Sequence, residues 1–172
     1  MEEFDYIVVG AGSAGCVVAA RLSEDPDVKV LLLEAGRKDD HRFGLMPIAF
    51  TRVASDPRYV WPLESEPEPG LDGRRLPAWR GKVLGGCSSI NAMINMRGHP
   101  ADFDDWASRG LQGWDYASVL PYFRKLEKSW RGANEWHGGD GPVANVPVDQ
   151  PGSLLPPLVH AARNLGIPYV ED

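Results

Sequence analysis

Residues 6–22 have the sequence YIVVGAGSAGCVVAARL, and this stretch decides the fold of the chain. Residues 6–9 are a short continuous apolar run, which is typical of a buried parallel strand. A glycine-rich turn follows at residues 10–15, and residues 14–22 carry apolar side chains at helical spacing. A second apolar run at residues 28–33 predicts another strand. Residues 1–36 are therefore predicted to form a β-turn-α-β unit with a right-handed crossover.

The turn after the first strand matches the G-x-G-x-x-G pattern of dinucleotide-binding sites, with the residues Gly10, Ala11, Gly12, Ser13, Ala14 and Gly15. Gly10 permits a tight turn out of the strand, and Gly12 lets the backbone approach a pyrophosphate. Gly15 lets the helix pack close to the strand. Backbone N–H groups at the helix start, at the positive end of its dipole, would hold the phosphate charge.

Glu34 ends the second apolar run, roughly 20 residues beyond the glycines. Its carboxylate is predicted to accept hydrogen bonds from the adenosine ribose hydroxyls. The pattern does not separate NAD from FAD. A carboxylate would repel the 2′-phosphate of NADP, although the nearby positive charge of Arg37 would attract it. The competing interpretation is a glycine-rich turn beside a solvated glutamate, which leaves the register of the glycines and the acid unexplained.

Composition narrows the class of protein. The 172 residues are 43% hydrophobic, enough for one sizeable core, and the formal net charge of −6 argues against a nucleic-acid partner. The two cysteines do not make a disulfide framework, and neither has a partner at zinc-binding spacing. No apolar run approaches ~20 residues, so no transmembrane span is expected. The acidic start lacks the features of a signal peptide, and we expect a cytoplasmic protein.

The remaining chain divides into predicted segments. Residues 37–79 are proline-rich and predicted to be irregular, whereas residues 80–97 predict a glycine turn feeding a helix capped by Ser88 or Ser89. A helix is predicted from Asp115, its cap, to Lys128, and another from Ser153 to Leu165, stopped by Gly166. The predicted organisation begins with a dinucleotide-binding unit at residues 1–36 and an irregular region at 37–79. A cofactor-wrapping segment follows at 80–106, and helices with turns at 107–172.

Several long motifs resemble one family. Residues 80–91, RGKVLGGCSSIN, resemble the first signature of the glucose–methanol–choline (GMC) oxidoreductases, and MRGH at 96–99 and DFDDW at 102–106 resemble its choline-dehydrogenase-like branch. The similarity extends through VGAGSAG at 9–15, EAG at 34–36 and WHGGDGP at 136–142, so it runs from about Tyr6 to the last residue. The resemblance implies an α/β fold: a Rossmann-like FAD-binding βαβ unit with long irregular loops and additional helices, as an incomplete part of a larger two-domain fold.

The resemblance also implies where FAD is wrapped. Val83 is expected near the adenosine half of FAD, and Gly86 is expected where the backbone approaches the cofactor closely. Ala35 is also expected at the cofactor. The residues expected beside the flavin are Asn91, Ala92, Met93 and Ile94. Ile90 stands where some members carry a histidine bonded to FAD, so non-covalent FAD is expected. Two other departures are Cys87, where serine is usual, and Asn95, where an aromatic residue is frequent.

The resemblance implies oxidation of a small-molecule alcohol by hydride transfer to FAD. That reaction needs a base for the hydroxyl proton, and family members supply it from a histidine far downstream, beyond residue 172. No catalytic residue is therefore predicted within the chain, whose isolated form is expected to be inactive. His99 is predicted to be a loop residue, His137 structural, and Asp102, Asp104 and Asp105 a solvated helix start rather than a metal site. A non-catalytic nucleotide-binding remnant or truncated fragment is the alternative function.

Overall fold

The computed structural model describes residues 2–42, 44, 46–147 and 154–170. The chain forms two compact units, Met1–Ile94 and Asn95–Asp172. The first unit contains β1 (Tyr6–Val9), α1 (Ser13–Leu22), β2 (Val30–Leu33), α2 (Phe50–Ala54), β3 (Val60–Trp61) and β4 (Arg80–Gly81). The second contains α3 (Pro100–Ser108), α4 (Tyr116–Leu126), β5 (Glu127–Ser129), β6 (Val143–Asn145) and α5 (Leu155–Asn164). Across the described ranges, no helix is long and apolar enough to cross a membrane.

The predicted β-turn-α-β unit is present. β1 and β2 pair in parallel, with Tyr6 opposite Val30 and Val9 opposite Leu33, and α1 is the crossover between them. The second strand begins two residues later than predicted, because the N–H of Val28 bonds to the carbonyl of Asp25 within a turn at 3.1 Å. The α/β fold class inferred from the sequence is confirmed in this unit.

The region predicted to be irregular, residues 37–79, contains a short helix and an antiparallel excursion. β3 pairs with β4, and isolated bridges extend the pairing from Glu64 to Pro77 and from Glu68 to Arg74. Prolines supply no N–H to a ladder, so the pairing is interrupted rather than continuous. The buried apolar cluster of this unit consists of Val53, Tyr59, Val60, Val83 and Ile90. Tyr59 and Val60 lie at the start of β3, and Val83 and Ile90 belong to the cofactor-wrapping segment.

The helix predicted to follow the glycines at 85–86 is wrong. The segment makes one 3-10 turn, Gly86–Ser89, and then continues without regular structure to residue 99. Neither predicted serine caps a helix: the Ser88 hydroxyl meets that of Ser13, and Ser89 Oγ donates to the Leu84 carbonyl. Beyond the turn, the Asn91 side chain accepts the N–H of Met93 at 2.8 Å, and such local bonds compete with helix formation.

In the second unit, α4 matches its prediction at the start and differs at its end. Asp115 is the N-cap, and its side chain accepts the N–H of Ser118 at 2.9 Å. The helix stops at Leu126 rather than Lys128, because residues 127–129 pair in parallel with residues 143–145 as β5 and β6. For α5, the predicted cap Ser153 lies outside the described residues. The predicted stop at Gly166 agrees with its φ of +75° immediately after the helix.

The acidic residues at 102–105 belong to α3, as the predicted helix start requires. Asp102 accepts the N–H of His99 at 3.0 Å, and His99 Nδ1 accepts the N–H of Ala101 at 3.1 Å. His99 is therefore the N-cap of a capping box rather than a free loop residue. Asp104 accepts the N–H of Tyr116, and Asp105 forms an ion pair with Arg109.

Candidate functional site

The glycine turn leaves an open backbone surface between β1 and α1. A Cβ built on Gly10 or Gly12 would meet no atom within 4 Å, so the approach to this backbone is clear. Gly10 takes a φ of +93°, which favours glycine. At Gly15 a Cβ would lie 1.8 Å from the Gly10 carbonyl oxygen, so helix and turn can pack this closely only without a side chain.

The start of α1 offers uncapped N–H donors to this open surface. Gly12 is the N-cap and supplies no side-chain acceptor, and the first turn contains no acidic residue. Helix geometry leaves the first N–H groups, from Ser13 onward, without intrahelical acceptors, and the dipole adds partial positive charge there. A pyrophosphate satisfies both, so these residues fit the diphosphate of a dinucleotide.

Glu34 closes one side of the turn. One carboxylate oxygen, Oε2, accepts the N–H of Ala11 at 2.7 Å, and the other, Oε1, accepts the N–H of Gly36 at 2.7 Å. The residue is half-buried at the end of β2. Each carboxylate oxygen has a further lone pair, so ribose hydroxyls can still donate to this group.

The segment at residues 80–90 docks onto the turn through backbone contacts. The N–H of Gly85 donates to the Ala11 carbonyl at 2.7 Å, and the N–H of Leu84 donates to the Arg37 carbonyl at 2.9 Å. Val83 is 1% exposed, and a Cβ on Gly86 would lie 2.7 Å from the Cα of Gly12. The structure thus brings together Val83, Gly86, Glu34 and the six residues of the glycine turn.

The other residues predicted to contact the cofactor are more exposed to solvent than this group. Residues 91–94 and Ala35 are exposed, Ile94 to 74%, and the Asn91 amide oxygen serves the local bond to Met93. Their contact with a flavin stays a prediction. Ile90 is buried in the core, and the exposed Cys87 accepts the N–H of Gly81 at 3.3 Å through its sulfur.

The second unit contains a buried carboxylate that the sequence did not single out. Glu127, 6% exposed, accepts hydrogen bonds from Arg97 Nη2 at 2.6 Å, His137 Nδ1 at 2.9 Å and Asn145 Nδ2 at 2.6 Å. The Gly138 N–H adds a fourth bond at 3.1 Å. Burial raises the pKa of Glu127, but the bonds from His137, Asn145 and Gly138 and the charge of Arg97 outweigh it, so the net pKa is lowered. The predicted structural role of His137 agrees with this arrangement.

A polar cluster in the first unit surrounds His41, which the sequence did not single out. His41 Nε2 lies 3.4 Å from Asp56 Oδ2, and its ring packs edge-on against Tyr59 at 4.9 Å. The Tyr59 hydroxyl donates to Asp40 at 2.8 Å, which lowers the pKa of Asp40, while burial raises the pKa of Tyr59. No sequence pattern marks this cluster, because its members are spread over an aperiodic region.

A parallel βαβ unit with an open glycine turn and an acid at the end of its second strand defines a dinucleotide-binding α/β protein. A family model described as GMC oxidoreductase matches residues 4–172. The chain belongs to the GMC oxidoreductase family, which confirms the resemblance inferred from its motifs.

Comparison with known proteins extends this assignment. The chain is 47% identical to the oxygen-dependent choline dehydrogenase of Vibrio vulnificus (strain YJ016) over 175 residues, covering 99% of this chain and 31% of that protein. Among solved structures, pyridoxine 4-oxidase from Mesorbium loti superposes with a TM-score of 0.88 at 37% identity, covering 98% of this chain and 33% of that one. An FAD-dependent oxidoreductase from Chaetomium thermophilum gives a TM-score of 0.77 at 33% identity, covering 99% and 31%.

The chain thus spans about a third of the length of the relatives it matches. FAD is the cofactor expected for the chain from its family and from these flavoprotein structures.

Proposed function

We propose that this chain is the FAD-binding part of an oxidoreductase that converts CH–OH groups of small alcohols to carbonyls. The observation that carries the proposal is the joined cradle, in which Glu34, the glycine turn and the segment at 80–90 are held by direct backbone and carboxylate bonds. The names of relatives, a choline dehydrogenase and a pyridoxine oxidase, support small alcohols as the substrate class.

In this proposal the chain binds and orients the cofactor. The N–H groups at the start of α1 hold the pyrophosphate, and Glu34 accepts hydrogen bonds from the ribose. Val83 and Gly86 border the adenosine half, and residues 91–94 lie beside the flavin. FAD, when bound, accepts a hydride from the alcohol. Ile90 has no nucleophilic atom, which supports non-covalent attachment.

The proposal assigns no catalytic base to the chain. His99 caps α3, His41 is paired with Asp56, and His137 bonds to Glu127, so each of these imidazoles already has a partner. The base is proposed to come from a part of the relatives' length that this chain does not cover. A cytoplasmic location is also proposed, supported by two free thiols, Cys16 and Cys87, of the kind reducing compartments maintain.

The test uses the longest form of the protein that its gene encodes. The purified, desalted protein should show flavin absorbance after incubation with FAD, and anaerobic addition of choline, benzyl alcohol or a short aliphatic alcohol should bleach it. A colourless protein that binds only ADP would instead support a non-catalytic nucleotide-binding remnant. Flavin that is retained but bleached by none of the three would support FAD binding and contradict the proposed substrate class.

A further inference from the structure

The backbone of Ala11 is held by hydrogen bonds at both its N–H and its carbonyl. Ala11 is 0% exposed, and its N–H donates to Glu34 Oε2 at 2.7 Å. Its carbonyl accepts the N–H of Gly85 at 2.7 Å and lies 3.2 Å from the thiol of Cys16. The two peptide groups that flank the Cα of Ala11 therefore join the end of β2 to the segment at 80–90 through the glycine turn.

The second oxygen of Glu34 extends the same connection. Oε1 accepts the N–H of Gly36 at 2.7 Å. Gly36 packs directly on the backbone of the neighbouring segment, since a Cβ there would lie 2.2 Å from the carbonyl carbon of Lys82 and from the nitrogen of Val83. One carboxylate thus bridges the glycine turn and the point where the segment at 80–90 docks.

We propose that Glu34 is a positioning residue that clamps the cradle in shape before any nucleotide binds. The ribose then uses only the lone pairs that the two backbone bonds leave available. This role deepens the proposed function and rests on it for the ribose contact, but the clamp itself belongs to the cofactor-free protein.

A glutamine at this position separates the two roles. An amide side chain has one acceptor oxygen and one donor nitrogen, so it can satisfy only one of the N–H groups of Ala11 and Gly36. The other N–H would face a second donor at a half-buried site, and an unsatisfied donor there is costly. A ribose hydroxyl both donates and accepts, so a simple ribose contact tolerates glutamine.

The experiment measures hydrogen exchange by mass spectrometry in the longest encoded form of the protein, without FAD. In Glu34→Gln, peptides containing the Ala11 and Gly36 amides should exchange about ten- to a hundredfold faster than in the unsubstituted protein. Glu64→Gln is the matched control, because it makes the same chemical change at an exposed glutamate of the same unit. Equal exchange in Glu34→Gln and the unsubstituted protein would overturn the clamp.

A second measurement decides the case if Glu34→Gln fails to fold. In the unsubstituted protein, the Ala11 and Gly36 amides should be protected before FAD is added, and protection that appears only with FAD would overturn the clamp. The proposed function is tested separately by flavin retention. Protected amides in a protein that never binds FAD would support the clamp and contradict FAD binding.

Discussion

Gly12 is a position in the turn at which an added side chain would enter the space proposed for the pyrophosphate. Its φ of −81° and ψ of −167° are accessible to valine, and a Cβ there has nothing within 4 Å. Gly12→Val should therefore fold and lose FAD. Flavin absorbance of the desalted variant is the measurement. Gly70→Val is the control, because Gly70 also faces open space, in the 3-10 turn Pro69–Leu71. Normal flavin content in Gly12→Val would refute the assignment of this turn to the pyrophosphate.

Glu127 should make stability depend on pH. Its folded pKa lies below the ordinary value for a glutamate, so the carboxylate stabilises the fold above that ordinary value and loses this contribution as the pH falls through the lower folded pKa. Glu127→Gln breaks a buried pair with Arg97 and should lower the free energy of unfolding by about 3 kcal/mol near neutral pH. Urea unfolding should show that the deficit narrows in acid.

The comparison for this variant is Glu135→Gln, an exposed glutamate of the same unit. It should unfold like the unsubstituted protein at both neutral and acidic pH. A deficit of equal size at both pH values in Glu127→Gln would mean that lost packing, and not the charge, is responsible.

At the level of elements, the docking of the segment at 80–90 depends on contact between backbones. Gly36→Ala would place a Cβ 2.2 Å from backbone atoms of Lys82 and Val83, which cannot move aside like the end of a side chain. The thermal midpoint should fall, by the equivalent of about 1–3 kcal/mol or more, and FAD affinity should weaken with it. Gly70→Ala, in open space, should change neither quantity. An unchanged midpoint in Gly36→Ala would show that the two segments are not tightly docked.

The elements predicted correctly from the sequence are those long enough to show an apolar run or a helical period. β1, α1, β2 and α4 carry continuous apolar runs or helical spacing, and all four are present. β5 and β6 have three residues each, too few for a pattern, and the antiparallel excursion at 60–81 is obscured by proline. The helix predicted after the glycine turn within residues 80–97 is absent for a different reason, since the Asn91 side chain accepts a backbone N–H that a helix would use.

The same distinction holds for the candidate site. The glycine turn and Glu34 lie in one continuous motif, so their grouping follows from local order. Arg97, Glu127, His137 and Asn145 meet only because β5 pairs with β6 and a turn returns the chain, and no local pattern encodes that meeting.

At the scale of the whole molecule, apolar surface on β1 and β2 remains uncovered. Val9 is 82% exposed, Ile7 61% and Leu33 46%, all in strands of residue types that proteins normally bury. Residues 1–172 alone should therefore bind a hydrophobic dye and aggregate on concentration. With FAD added, they should show no alcohol-dependent bleaching, since the chain is proposed to lack the base. Anaerobic bleaching by this fragment alone would contradict that proposal.

Gly73 and Gly86 have similar backbone dihedral angles, so both would be chosen as sites for stabilising substitutions if dihedral angle were the only criterion. Their φ values are +71° and +57°, a range that asparagine tolerates and where trading glycine for it restricts the unfolded chain. Only Gly73 has room, because a Cβ on Gly86 would press within 2.7 Å on Gly12. Gly73→Asn should leave FAD binding intact, whereas Gly86→Asn would press on Gly12, the residue proposed to lie at the pyrophosphate. A substitution at position 86 chosen to raise thermal stability would therefore be expected to weaken FAD binding.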